Sequence, residues 1–275
     1  MINTIQLKTA QLRDGFFKIG SGSEVILIQG SCRAVPYVTY LNDWNNQNGN
    51  RFTICYIDPF SWHWYMDEQR VPNYEKELEK QETNTALLDM LKTVKYFIHE
   101  YYKNAGMFNV EKDGEKNIYQ YGLNPTKDIC LPSFNDIFVL TREIVSFDMN
   151  IRKLAIQDYN VNGQLSEYTL SQIDKVRENN LQRFYDICSK TDFPEFAEIF
   201  ANGYKQKRFF WTFNHISKEF NQIIFKLMND KYLHLDLTSY NMSNVDLYAN
   251  NYSYLCEHDK GYNWNEEIKL LRDIL

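Results

Sequence analysis

Residues 23–33, Ser-Glu-Val-Ile-Leu-Ile-Gln-Gly-Ser-Cys-Arg, restrict the possible folds of this chain more than any other stretch. Val25 to Ile28 is continuously apolar and rich in β-branched residues, the pattern of a strand covered on both faces. Gly30 permits a tight turn after it. Ala34, Val35, Val38 and Leu41 then repeat at helical spacing. Pro36 is tolerated only in the first turn of that helix, so the helix is expected to begin close to Cys32. There, unpaired backbone N–H groups and the positive helix end favour a thiolate and offer donors to an oxyanion.

The continuation makes residues 24–57 a β-α-β unit. Its elements are a strand over Val25–Gln29, a helix over about Ala34–Trp44, a polar loop over Asn45–Asn50 and a second strand over Phe52–Ile57. That order implies parallel pairing, with ligands bound outside the carboxyl ends of the strands. Cys32 follows one such end and Asp58 the next. The fold class expected is a single α/β domain over 1–275, three-layered, with a mostly parallel sheet and helical excursions at about 60–127 and 160–203.

Residues 75–104 read as one helix, with Leu87, Leu88, Leu91, Val94, Ile98 and Tyr101 along a face and Gly106 as terminator. Residues 107–127 read as loop, and Ile137–Leu140 as a short strand. Thr169 with Gln172 resembles a capping box for a helix carrying Ile173, Val176, Phe184 and Ile187. Pro194 opens a further helix that Gly203 closes. Arg208–Phe213 reads as a strand, and Asn214 as the cap of a helix bearing Phe220, Ile223, Ile224, Leu227 and Met228. A last short helix falls near Glu266–Leu275.

Composition narrows the function. Of 275 residues, 44% are apolar, enough for a packed core. A net charge of −6 without a basic tract argues against a nucleic-acid partner. Cys32, Cys55, Cys130, Cys188 and Cys256 are odd in number and widely spaced, which suits reduced thiols in a cytoplasm. Residues 1–18 lack the uninterrupted apolar core of a signal peptide, and no segment is long and apolar enough for a membrane span. His234-Leu235-Asp236 and Glu257-His258-Asp259 hold metal-capable groups without convergent spacing, so no metal is expected. Glycine-rich phosphate loops are absent from the sequence, which leaves nucleotide hydrolysis and dinucleotide redox chemistry unsupported.

What remains is chemistry at strand ends. Cysteine attack on an acyl carbon needs a thiolate, a base and oxyanion donors. Cys32 supplies the thiol, and Gly30, Ser31 and the helix start supply the turn. His215, beside Asn214 at another strand-to-helix junction, is the candidate base. Glu219, four residues on, is the candidate orienting carboxylate; Asp58 and Asp136 compete for that role. Arg33, Lys205, Lys207 and Arg208 are candidate phosphate partners. Trp62 and His63, in the loop after Asp58, either stack on a sugar ring or pack as a plug.

Two segments resemble a known family. Ile28-Gln29-Gly30-Ser31-Cys32-Arg33-Ala34 resembles the Gly-Asn-Cys-Gln start of the WcbI-like polysaccharide-biosynthesis family. Phe210-Trp211-Thr212-Phe213-Asn214-His215-Ile216 resembles its aromatic-rich Asn-His-Pro segment. Ser31, Arg33 and Ile216 depart from the usual Asn, Gln and Pro. The resemblance implies a coenzyme A-dependent acetyltransferase acting on sugars, with Cys32 and His215 as the catalytic pair. A nucleophile after the first strand and a late histidine are also similar to SGNH-type esterases, with Cys32 in place of serine and Ser133-Phe134-Asn135-Asp136 near their Gly-x-Asn-Asp block. Thr212 stands where those esterases carry the aspartate of Asp-x-x-His. The expected function is therefore acyl transfer from acetyl-coenzyme A, a small-molecule donor, to a carbohydrate acceptor. Thiol-ester hydrolysis and an inactive binding module are the alternatives.

Overall fold

The structure is a computed structural model that describes residues 11–13, 16–30, 34–57, 84–101, 122–132, 149–203 and 216–245. Six strands lie in these residues: β1 (Gln11–Arg13), β2 (Phe16–Ile19), β3 (Glu24–Gln29), β4 (Phe52–Ile57), β5 (Val94–Tyr101) and β6 (Lys127–Pro132). They form one mixed sheet in the order β1-β2-β4-β3-β5-β6. β4, β3, β5 and β6 run parallel, and β2 and β1 close the other side antiparallel. The protein is thus α/β with a mostly parallel sheet.

The β-α-β unit forms as its sequence demands. β3 and β4 pair in parallel from Glu24↔Phe52 to Gln29↔Ile57. Between them, α1 (Val35–Gln47) takes Ala34 as its cap and carries Pro36 in its first turn. The helix therefore starts three residues beyond Cys32, and it ends three residues later than its apolar pattern suggests. The expected loop at Asn45 is partly helix because Asn45 has structural work to do. Its amide donates to the Phe52 carbonyl (3.0 Å), and its Oδ1 accepts from the Phe52 N–H (2.8 Å). That clamp ties the end of α1 to the start of β4. Trp44 packs at a tilt against Phe52 (centroids 5.9 Å apart), so α1 covers the face bearing Phe52, Ile54 and Tyr56.

The expected helix over 75–104 is corrected. Among the described residues it survives only as α2 (Asn84–Thr93), which runs straight into β5. Val94-Lys-Tyr-Phe-Ile-His-Glu-Tyr is dense in β-branched and aromatic residues, and pairing with β3 on one side and β6 on the other outweighs the helical periodicity. β6 begins at Lys127, where the expected 107–127 loop ends, and is a strand the sequence reading did not assign; the described part of that loop, residues 122–126, carries no helix or strand. The expected strands at 137–140 and 208–213, the terminator Gly106 and the last helix lie outside the described residues.

Chain packing separates two units, 1–132 with 222–250 and 133–221 with 251–275. The first holds the sheet, α1, α2 and most of α6 (Lys218–Met228). Within it Tyr40 packs on Phe225 (5.2 Å), Trp44 Nε1 donates to the Asp236 carbonyl (2.9 Å) and Tyr240 Oη donates to the Tyr40 carbonyl (3.0 Å). The segment after α6, a π-turn at Asn229–Leu233 and a 3₁₀ turn at Met242–Asn244, is thereby fastened to α1.

The second unit is helical where described: α3 (Met149–Asn162), α4 (Glu167–Cys188), α5 (Glu195–Gly203) and the first turn of α6. Its core is aromatic. Phe184 meets Phe200 (5.2 Å), Phe193 stacks on Phe196 (5.0 Å), and Phe220 contacts both Phe196 and Phe200. α5 opens directly after Pro194, as expected, and its described residues run to Gly203. The cap of α4 is Ser166, not Thr169, and the helix begins accordingly earlier. No helix among the described residues is long and apolar enough to cross a membrane.

Candidate active site at the carboxyl edge of the sheet

The chain leaves β3 toward β4 on one side and returns to β5 on the other. The strand order reverses between β3 and β5, and crevices at such points bind ligands. The carboxyl ends meeting there are Gln29-Gly30 and His99-Glu100. Gln29 and His99 are register partners, so their side chains share one face of the sheet. Gly30 and Glu100 occupy the other, the face that α1 covers.

On the α1 face the chain is compressed. A Cβ on Gly30 would lie 2.6 Å from Ala34 Cβ and 3.0 Å from Glu100 Oε2. Only glycine fits between the helix start and the Glu100 carboxylate, which is 3% exposed. Tyr56 Oη donates to the Gly30 carbonyl (3.1 Å), so β4 also holds the chain just past the end of β3. Ala34 offers α1 no capping side chain, and Pro36 removes one of its donors. The remaining first-turn N–H groups keep the polarity suited to an anion.

On the opposite face, His99 Nε2 donates to Asp128 Oδ1 at 2.9 Å. The ring stacks on Phe97 two residues earlier, with centroids 4.9 Å apart. His99 is 12% exposed and Asp128 47%. In the neutral imidazole, an Nε2–H facing the carboxylate leaves Nδ1 as the acceptor. Among the described residues neither His99 Nδ1 nor Gln29 Oε1, both buried, has a hydrogen-bond partner. Cys130 is the β6 register partner of His99. Nothing in the sequence alone pointed to His99, Glu100, Asp128 or Gln29; reading Val94–Tyr101 as a strand would have placed His99 at its carboxyl end.

Of the candidate catalytic and substrate- or cofactor-binding residues, Gly30 and Glu219 are described. Gly30 ends the central strand. Glu219 is exposed in the first turn of α6. That helix begins at Lys218, after Ile216 in an isolated bridge, so helical spacing does not extend back to His215. Its cap is Ser217, whose Oγ accepts from the Phe220 N–H (3.2 Å), in place of the expected Asn214. Ser31, Cys32, Arg33, Asp58, Trp62, His63, Asp136, Lys205, Lys207, Arg208, Asn214 and His215 lie outside the described residues.

The other described thiols are poor nucleophiles. Burial pushes Cys55 up to about 12, and it pushes Cys188 up to about 12 as well. Among the described residues no cluster of three His, Cys, Asp or Glu side chains is placed to hold a metal ion. Comparison with known proteins gives no match, whether to a family model, a curated protein or a solved structure.

Proposed function

We propose that the chain is an acyltransferase that moves an acetyl group from a coenzyme A thioester to a sugar hydroxyl at the carboxyl edge of its sheet. In support, the parallel strand order β4-β3-β5-β6 is compatible with a three-layer, flavodoxin- or SGNH-like sheet, and sheets of that kind bind ligands at their carboxyl edge. The observation that carries the reading is the fit around Gly30. The central strand ends there against α1 and Glu100 with no room for a side chain. Two residues on in the sequence comes Cys32, the candidate nucleophile.

In this reading Cys32 takes the acyl group or positions it. The first-turn N–H groups of α1 stabilise the oxyanion that forms as the acyl carbon is attacked. His215 serves as base toward the thiol. Arg33, Lys205, Lys207 and Arg208 hold the phosphates of the donor, and Asp58, Trp62 and His63 the sugar. The acylated sugar and free thiol are the products, so release of free coenzyme A measures turnover directly.

The test is thiol release from acetyl-coenzyme A by the full chain, with Cys32→Ala alongside. Turnover by the wild type that falls by about 10²-fold or more in Cys32→Ala supports the reading. Full turnover by Cys32→Ala removes the cysteine from the mechanism. No turnover by the wild type, with no coenzyme A binding by calorimetry, overturns acyl transfer altogether.

A further inference from the structure

We infer that His99, oriented by Asp128, is the general base that takes the proton from an O–H nucleophile seated between His99 Nδ1 and Gln29 Oε1. The inference deepens the acyl-transfer reading and rests on it.

Three observations converge. The imidazole is held on both sides: Asp128 accepts from Nε2–H at 2.9 Å, and Phe97 stacks beneath the ring. This is the arrangement that fixes one tautomer and leaves the opposite nitrogen as a proton acceptor. Next, Gln29 is the register partner of His99 on the neighbouring strand and is 3% exposed. Finally, Gln29 Oε1 and His99 Nδ1 are both buried acceptors without a partner among the described residues. Buried polar atoms left unmatched carry a desolvation cost, so a native fold rarely retains two at register-paired positions of neighbouring strands without an occupant.

The occupant's chemistry follows from the two atoms. Both accept, so the group between them must donate twice. Two sources provide paired O–H donors: a water molecule and the vicinal hydroxyls of a sugar. In either case the nucleophile's O–H bond breaks and its proton passes to Nδ1. Its oxygen bonds to the acyl carbon, the thioester carbon–sulfur bond breaks, and the proton ends on the departing thiolate. Water as nucleophile gives acetate; a sugar hydroxyl gives the acetyl ester. Asp128 and Gln29 are positioning residues in this step, and His99 is the group that touches the reacting oxygen.

The experiment compares wild type, His99→Gln, Asp128→Asn and Gln29→Leu for thiol release from acetyl-coenzyme A. One arm contains water alone and the other methyl α-D-glucopyranoside, with products identified by mass. Expected are a fall in kcat of about 10²- to 10⁴-fold for His99→Gln with the KM for acetyl-coenzyme A unchanged, and a smaller fall for Asp128→Asn. Gln29→Leu raises the KM for the glucoside. Acetate as product in both arms assigns the site to water, and acetylated glucoside assigns it to a sugar hydroxyl. Imidazole NMR of the isotope-labelled wild type supports the inference by showing His99 with its proton on Nε2. A proton fixed on Nδ1, or His99→Gln turning over like wild type, overturns it while the wild-type rate leaves acyl transfer standing. Absence of wild-type turnover overturns both. Asp128→Asn, a change at a half-exposed side chain, decides the matter if His99→Gln does not fold.

Discussion

The Glu100 carboxylate and the Gly30 Cα are packed so closely that a methyl group on the glycine would lie 3.0 Å from Glu100 Oε2 and 2.6 Å from Ala34 Cβ. The nearer obstacle is a side chain fixed at a helix cap, which cannot swing aside. Gly30→Ala is therefore expected to destabilise the fold by roughly 1–3 kcal/mol, the cost of overpacking. Because Ala34 is the nearest atom, Gly30→Ala/Ala34→Gly should recover part of that loss, glycine being accepted at a helix cap. Urea unfolding of the two variants measures the recovery. Equal midpoints for the single and double variants would mean that the crowding lies elsewhere.

Thiol reactivity follows from burial. Cys55 faces the sheet interior and Cys188 the helical core, and both thiols are pushed up to about 12. Near neutral pH their thiolate fraction is lower than that of a free cysteine by about three orders of magnitude. Native protein treated with iodoacetamide is expected to stay unlabelled at both positions, while denatured protein labels at each. Peptide mapping by mass spectrometry reads this out. It also supplies the baseline against which rapid labelling at Cys32 would mark an activated thiol.

Glu24 joins three parallel strands at their amino ends. Its carboxylate accepts from Arg51 Nε (2.9 Å) and Nη2 (3.0 Å) on the approach to β4, and from Lys95 Nζ (2.8 Å) on β5. The Arg51 hydrogen bonds, followed by Lys95, hold its carboxyl below the ordinary 4.5 despite partial burial. A carboxyl lowered in the folded state contributes stability that is complete above about 4.5. That contribution fades as the pH falls through the lowered native value. Both cations are more than a third exposed, so water and salt screen the pair, and about 1 kcal/mol is the scale expected. Melting curves between pH 7 and pH 3 should show a smaller loss for Glu24→Gln than for wild type. Parallel curves for the two proteins would contradict this role for Glu24.

The parts of the fold visible in the sequence are those where local pattern and tertiary pairing agree. β3 and β4 are short apolar runs flanked by turn residues, and α1 carries its proline in the first turn. β5 is the instructive failure. Leu87, Leu91, Val94, Ile98 and Tyr101 fit a helix face, yet the last three sit in a strand; short apolar runs fit either periodicity. That misreading hid His99. Its partner Asp128 is 29 positions away and meets it only through the parallel register of β5 and β6, a long-range fact that composition and spacing do not encode. Gly30, by contrast, was legible because its constraint is local: a strand, a turn and a helix start within eight residues.

The junction of α3 and α4 shows how a cap is built from two helices. Ser166 Oγ accepts from the Thr169 N–H (3.2 Å), filling the N-cap of α4. Asp158, on α3, accepts from the Ser166 N–H (3.0 Å) and from the hydroxyls of Ser166 and Thr169. Those hydrogen bonds hold its carboxyl below the usual aspartate range. Ser166→Ala removes both the cap and one donor to Asp158, and a loss of about 1 kcal/mol is expected. Asp158→Ala is destabilising in the same direction, and the double variant should lose less than the sum, since the two residues share one network. Additive losses in urea unfolding of the full chain would show instead that the carboxylate and the cap act independently.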